Sequence, residues 1–273
     1  MCIFADNFLL MAESAVFTQQ FDIQSHHIGP NAEVNLQYLL GCMQTTADMH
    51  VDSRQIGWND LHAKGCFWAI YRMGLQIERL PRKYDRITVN TWANPPKGVF
   101  QPRSFEVFDQ HGNRLLRAQS LWLVLDDKEF RPQQVEQIIG TDLSYLIGAQ
   151  DSFDIPLKVP MTTGEPIFPM VERTVLYSDI DTNHHVNNTN YVRWLIDSIP
   201  ADYLKSHQIR ELILNYVLQA RLGDRYAVST IPMTDGRLNT TIKRADSDEE
   251  FCKITTRWSE RSGEMPAPQP SQK

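Results

Sequence analysis

The chain has 273 residues, 42% apolar and 22% charged, an ordinary globular composition with length for one large domain or two modest ones. Its formal net charge of -6 argues against a general nucleic-acid binder, which must neutralise phosphates with clustered Lys and Arg. No window approaches the roughly 18 to 20 uninterrupted apolar residues of a membrane span, and the short apolar run from Phe8 to Ala12 follows Asp6 rather than basic residues, so neither membrane insertion nor a signal peptide is expected.

Residues 1–15 read as an extension ahead of a first unit, 16–128. In that unit Leu36, Leu39, Leu40, Met43 and Ala47 form an apolar stripe at helical spacing, with Asn31 as the expected cap. Four strands are predicted after it, at 67–80, 85–93, 100–110 and 114–126, with Asp109 to Asn113 as the hairpin turn between the last two. Residues 129–169, rich in proline and acidic side chains, read as a connector with a short helix at 132–139.

The second unit, 170–260, repeats the plan. Val192, Leu195, Ile196 and Ile199 make a second stripe stopped by Pro200, and strands are predicted at 211–219, 224–231, 237–243 and 251–260. Asp85-Arg86-Ile-Thr-Val89-Asn-Thr91 is echoed 139 residues later by Asp224-Arg225-Tyr-Ala-Val228-Ser-Thr230, and Trp122 is echoed by Trp258 at an offset of 136. One helix wrapped by antiparallel strands, twice over, is an α+β tandem double hotdog. Residues 261–273 lack bulky apolar side chains and are expected to be disordered.

Cys2, Cys42, Cys66 and Cys252 form no CxxC pair, which points away from a zinc knuckle or disulfide framework and towards a cytoplasmic protein. Two basic clusters, one of Arg79, Arg82, Lys83 and Arg86 and one of Lys205, His207, Arg210, Arg221 and Arg225, are either docking surfaces for an acidic partner or solvated charge.

The chemistry-bearing stretch is Ser178-Asp-Ile-Asp181-Thr-Asn183-His184-His185-Val-Asn187-Asn188, just before the second helix. In an extended chain Asp181, Asn183 and His185 share one face, so a carboxylate, an amide and an imidazole converge near a helix start. That set suits thioester hydrolysis: a group to activate water or attack, one to protonate the thiolate, and helix N–H dipoles for the oxyanion. The plainer reading makes Asp181, Asn183, Asn187 and Asn188 turn and capping residues, with His184 and His185 filling a loop.

The run SDIDTNHHVNNTNYVRWLIDSIP resembles the SDLDxNxHVNNxxYxxWxxxxxP segment of the plant and bacterial acyl-acyl carrier protein thioesterases, and the strands around YRMGLQIERLPRKYDRITVNTW, Arg103 and Ala118-Gln-Ser-Leu-Trp122 extend the resemblance over about 16–260. It implies hydrolysis of fatty acyl thioesters of acyl carrier protein by Asp181, Asn183 and His185. It implies no cofactor or metal, and an acyl slot in the first unit with Leu39, Met43, Trp68, Ile70, Met73 and Trp92 as candidate lining. Where the family carries Glu, and plant members a following Cys, this chain has Gln219 and Ala220; Ala excludes a thiol nucleophile there, and Gln219 is expected to orient water.

Rival readings are an acyl-CoA thioesterase of the same fold, an acyl-thioester binder without turnover, and a hotdog dehydratase. A metal site from His26, His27, His50 or His184 is weaker, because no HxH or HxxxH pair with a placed third ligand appears. Two hotdogs in one chain imitate a dimer, so a monomer or a homodimer is expected.

Overall fold

The computed structural model describes residues 15–140, 155–156 and 163–261. The first half runs β1 (Phe17–Asp22), a 3-10 turn (Ser25–His27), α1 (Leu36–Ser53), α2 (Trp58–His62), β2 (Cys66–Ile77), β3 (Arg86–Ala93), β4 (Phe100–Phe108), β5 (Arg114–Asp126), β6 (Pro132–Gln133) and α3 (Val135–Ile139). The second runs β7 (Val171–Thr174), a 3-10 turn (Tyr177–Asp179), α4 (Asn190–Ser198), α5 (Ala201–Ser206), β8 (His207–Tyr216), β9 (Arg225–Pro232), β10 (Leu238–Arg244) and β11 (Glu250–Glu260).

Among the described residues the strands form one sheet in the order β1-β3-β4-β5-β2-β8-β11-β10-β9-β7, with β6 alongside β5. The order reads the same from either end if each strand is exchanged for its repeat, so the halves meet across the antiparallel pair β2–β8, where Gly74 faces Ile213 and Leu75 faces Leu212. Each half is a hotdog and the chain is a tandem pair. Among the described residues no helix is long and apolar enough to cross a membrane.

Burial follows the sequence periodicity. Leu36, Leu39, Leu40, Met43 and Ala47 of α1 are buried, as are Val192, Leu195 and Ile199 at α4, in one core shared by both halves with Leu75, Leu212 and Phe251. The hydrophobic effect therefore joins the halves as well as folding each one. The echoes recur as geometry: Trp122 Nε1 donates to Ser120 Oγ and Trp258 Nε1 to Thr256 Oγ1, each at 2.8 Å.

Three expectations are corrected. Asn35, not Asn31, precedes α1; the Asn31 amide instead donates to the Leu204 carbonyl at 2.9 Å and ties the halves together. The helix expected at 132–139 starts only at Val135, because Pro132–Gln133 pair with β5. In the connector, Ile155 packs against Leu121 and Ile213, and Arg72 donates to the Pro156 carbonyl. Arg261 belongs to the fold, since it pairs with Glu33 at 2.9 Å and donates to the His207 carbonyl at 3.0 Å; the remainder of the expected tail, 262–273, and residues 1–14 of the expected extension lie outside the described residues.

Candidate active site

The segment between the second 3-10 turn and α4 is a closed loop, not an extended chain. Ile180 bridges Val186, Asp181 N–H donates to the His185 carbonyl at 2.9 Å, and His184 N–H donates to the Asp181 carbonyl at 3.1 Å. His184 completes the reversal at φ 61°, a left-handed conformation uncommon outside glycine. Asp181 and His185 therefore meet by pairing across the loop, not by the alternation of a strand. His185 Nδ1 lies 3.6 Å from Asp181 Oδ2, both side chains about one-fifth exposed. The other carboxylate oxygen, Oδ1, accepts the Asn183 N–H at 2.8 Å. Asn183 sits exposed at the tip, and no side-chain hydrogen bond joins it to Asp181 or His185.

Two anchors fix this loop to the fold. Asp179 is buried, accepts the Leu176 N–H at 2.8 Å and pairs with Arg193 of α4. Val186 N–H donates to the Ala220 carbonyl at 2.9 Å, and Ala220 N–H donates to Tyr191 Oη at 3.3 Å. Gln219 is thus one residue from the loop's anchor; it is exposed and makes no hydrogen bond to Asp181, Asn183 or His185. Burial pushes the Cys252 thiol well above its ordinary range, so this fully buried residue is a neutral core filler and not a thiolate.

Asp181 opens onto a cleft of about 360 Å³ between its own loop and α1, whose Gln37, Gly41, Gln44, Thr45 and Asp48 form the opposite wall. The start of α4 borders the same cleft through Thr189 and Asn190. Thr189 N–H is taken by Asn187 Oδ1 at 2.9 Å, and Asn190 bridges the halves, accepting from Gln37 at 2.6 Å and donating to the Asp179 carbonyl at 2.8 Å.

Asp48 also borders a narrow void of about 50 Å³ beneath α1, walled by Ala47, Val51, Ile56, Trp68, Ala93, Trp122 and Ile139 together with Gln101 and Arg103. Of the six residues expected to line an acyl slot, Trp68 is on this wall, whereas Leu39, Met43 and Met73 are in the shared core with Ile70 against them, and Trp92 is buried. Sequence reading missed Asp48 and Gln101, because a polar residue within an apolar stripe or strand carries no signal of a cavity. Arg103 is buried, with Nη1 donating to His50 Nδ1 and Thr91 Oγ1, both at 3.1 Å. Burial, then the charges of Arg103 and Arg54, push His50 down to about 3, so its ring is neutral. Asp48 is exposed at the cleft; partial desolvation by the surrounding protein, then the charge of Asp52, raises its carboxyl to about 6 against the pull of Arg103.

Most cations of the two basic clusters already serve internal partners. Arg79 pairs with Asp85 and Asp109, Arg86 with Asp22, Lys205 with Asp202 and Arg225 with Glu172, while Arg210 donates to the Glu78 carbonyl.

Comparison with known proteins places this geometry. The family model of the acyl-ACP thioesterase N-terminal domain matches residues 14–141, and that of the C-terminal domain matches 168–260. The chain is 27% identical to a chloroplastic palmitoyl-acyl carrier protein thioesterase of Gossypium hirsutum over 271 residues, covering 91% of this chain and 65% of that protein. It is 22% identical to the chloroplastic oleoyl-acyl carrier protein thioesterase 2 of Arabidopsis thaliana, covering 90% and 73%. The chain thus spans about two thirds of the length of the first of these relatives. Its fold matches those of an acyl-ACP thioesterase from Bacteroides thetaiotaomicron (TM-score 0.81, 23% identity, covering 90% and 98%) and a 12:0-ACP thioesterase from Umbellularia californica (TM-score 0.81, 20% identity, covering 91% and 99%).

Proposed function

Because the chain belongs to the acyl-ACP thioesterase family, we propose that it hydrolyses fatty acyl thioesters of acyl carrier protein to free fatty acid and carrier thiol at the Asp181 loop. The observation that carries the reading is the Asp181–His185 pair at the mouth of a cleft formed between the two hotdogs.

With Oδ1 held by the Asn183 N–H, Asp181 keeps Oδ2 for chemistry. As general base, Oδ2 takes a proton from water while the water oxygen attacks the thioester carbonyl; as nucleophile, it attacks that carbonyl itself and water then cleaves the acyl-enzyme anhydride. In either course the C–S bond breaks and the leaving thiolate takes a proton from His185. Asn183 shapes the loop that holds the pair, and Gln219, next to the Ala220 anchor, holds the water; its amide orients water but exchanges no proton at neutral pH. The α4 start at the cleft edge supplies the positive end of a helix dipole for the developing oxyanion.

Thiol release from acyl carrier protein thioesters of graded chain length tests the reading, comparing the native protein with Asp181→Ala and His185→Ala. Native turnover with loss in both variants is expected; full activity in Asp181→Ala would sink it.

A second reading is acyl-CoA as substrate, since acyl-CoA and acyl carrier protein present the thioester on the same phosphopantetheine arm. Carrier selectivity that weakens with salt separates the two. We place the enzyme in the cytoplasm as a monomer. Free, buried Cys42, Cys66 and Cys252 support the first assignment, and the β2–β8 junction, which joins two hotdogs within one chain, supports the second. Localisation of a tagged chain and the mass in solution test them.

A further inference from the structure

The void beside Asp48 has apolar walls from two tryptophans, a valine, two isoleucines and two alanines, yet two of its lining side chains are polar and almost fully buried: Gln101 at 7% exposure and Arg103 at 6%. The Gln101 amide nitrogen donates to two backbone carbonyls, those of Asn94 at 2.6 Å and Pro102 at 3.1 Å, which fixes the orientation of the group. Its Oε1 is then a buried acceptor with no partner. A desolvated acceptor with no donor costs free energy that a donor would recover.

The void and the cleft share Asp48 in their walls. Going from Gln37 beside Asn190 to Asp48, α1 presents Gln37, Gly41, Gln44, Thr45 and Asp48 to the cleft over eleven residues, about 16 Å of helix. A thioester carbonyl at Asp181 therefore leaves the far part of its acyl chain, not the carbons next to the carbonyl, to reach Gln101.

We infer that the acyl chain this enzyme releases carries a hydroxyl group near its far end, bound in the void lined by Gln101, Arg103 and Asp48. The inference deepens the thioesterase reading and rests on it. A hydroxyl matches the polar set because it donates to Gln101 Oε1 while its oxygen lies in the field of the Arg103 guanidinium. A terminal carboxylate does not match, since it would bring an anion against both Gln101 Oε1 and Asp48. An unsubstituted methyl end fills the volume and leaves Oε1 unpaired.

The test is titration calorimetry of the native protein with octanoate, dodecanoate and hexadecanoate, each against its ω-hydroxy derivative, with β-hydroxydodecanoate as the positional control. The ω-hydroxy acid of at least one length should bind about tenfold more tightly than its parent, the increment of one good hydrogen bond, with no gain for the β-hydroxy acid. Gln101→Met, which keeps length and loses the acceptor, should abolish the preference. Equal or tighter binding of the parents, binding of neither class, or a preference unchanged in Gln101→Met overturns the inference; the native ligand series decides alone if that variant does not fold. Thiol release from the matching carrier thioesters separates the two claims. No cleavage of any thioester alongside an intact ω-hydroxy preference removes the thioesterase reading only, whereas faster cleavage of the unsubstituted thioesters removes this inference only.

Discussion

The loop entering α1 and the loop entering α4 have one backbone and two uses. Ile28 bridges Val34 as Ile180 bridges Val186, Gly29 N–H donates to the Glu33 carbonyl as Asp181 N–H does to His185, and Ala32 takes the left-handed conformation of His184 at φ 58°. Even the anchors correspond, for Gln24 N–H donates to His27 Nδ1 at 3.0 Å where Leu176 N–H donates to Asp179. Gly29, Asn31 and Glu33 thus occupy the places of Asp181, Asn183 and His185. The first loop has Gly29 where the second has Asp181, and its other side chains are engaged: Asn31 with Leu204 of α5, and Glu33 with Arg261. In front of the second loop, α1 presents a glycine and polar side chains across an open cleft. One backbone frame therefore serves as clamp or as active site, according to its side chains and to what packs in front of it.

The largest expected effect tests whether the frame alone suffices. Asp181→Ala should lower kcat by about 10²–10⁴-fold. Adding Gly29→Asp and Glu33→His to that variant, which copies the pair into the first loop, should recover no thiol release, because α5 occupies the space where substrate would enter. Turnover in the triple variant above that of Asp181→Ala alone would show that the cleft is not what distinguishes the loops.

Val34 and Val186 close the two loops and are each 2% exposed. Truncating either to Ala should cost roughly 1.5 to 3 kcal/mol in urea unfolding, from lost burial and a cavity. Only Val186→Ala should also depress turnover of the folded enzyme, since it loosens the Asp181–His185 geometry.

The next contrast lies further along the helices. Asp48 has its carboxyl raised from the ordinary 3.8 to about 6, chiefly by partial desolvation and then by Asp52. The folded state then binds this proton more tightly than the unfolded one, so ionised Asp48 destabilises the fold fully above about pH 6 and not at all below about pH 4. Asp48→Asn should raise Tm at pH 8, and the gain should shrink as pH falls through 6 towards 4. A gain that does not change with pH would contradict the assignment. The smallest effect concerns Gly41, whose added Cβ would meet nothing within 4 Å. Gly41→Ala should stabilise the fold by up to about 1 kcal/mol through helix propensity, in a thermal melt, while narrowing the cleft only slightly.

Much of the fold was legible from local pattern. The apolar stripes at Leu36 to Ala47 and Val192 to Ile199 located both helices, because burying one face of a helix demands that spacing. The echo between Asp85 and Asp224 marked equivalent turns, whose backbone N–H groups at Arg82 and Arg221 are held by those carboxylates at 2.9 Å each. Asp181 and His185 could be named because their motif is long and ordered. Their closeness was inferred for the wrong reason, since strand alternation predicts a shared face for three residues, whereas a closed loop brings two together and leaves Asn183 at the tip.

By itself, then, the sequence determined two hotdogs, the long helix of each and most strands, and the segment that carries the candidate chemistry, all properties encoded in neighbouring residues. Only the tertiary structure decided which loop opens onto a cleft, that β2 and β8 fuse the sheets, and that Asp48, Gln101 and Arg103 gather around a void. Those three residues lie on α1 and β4, far apart in the chain, and their meeting depends on how helix and sheet pack, which no local periodicity records.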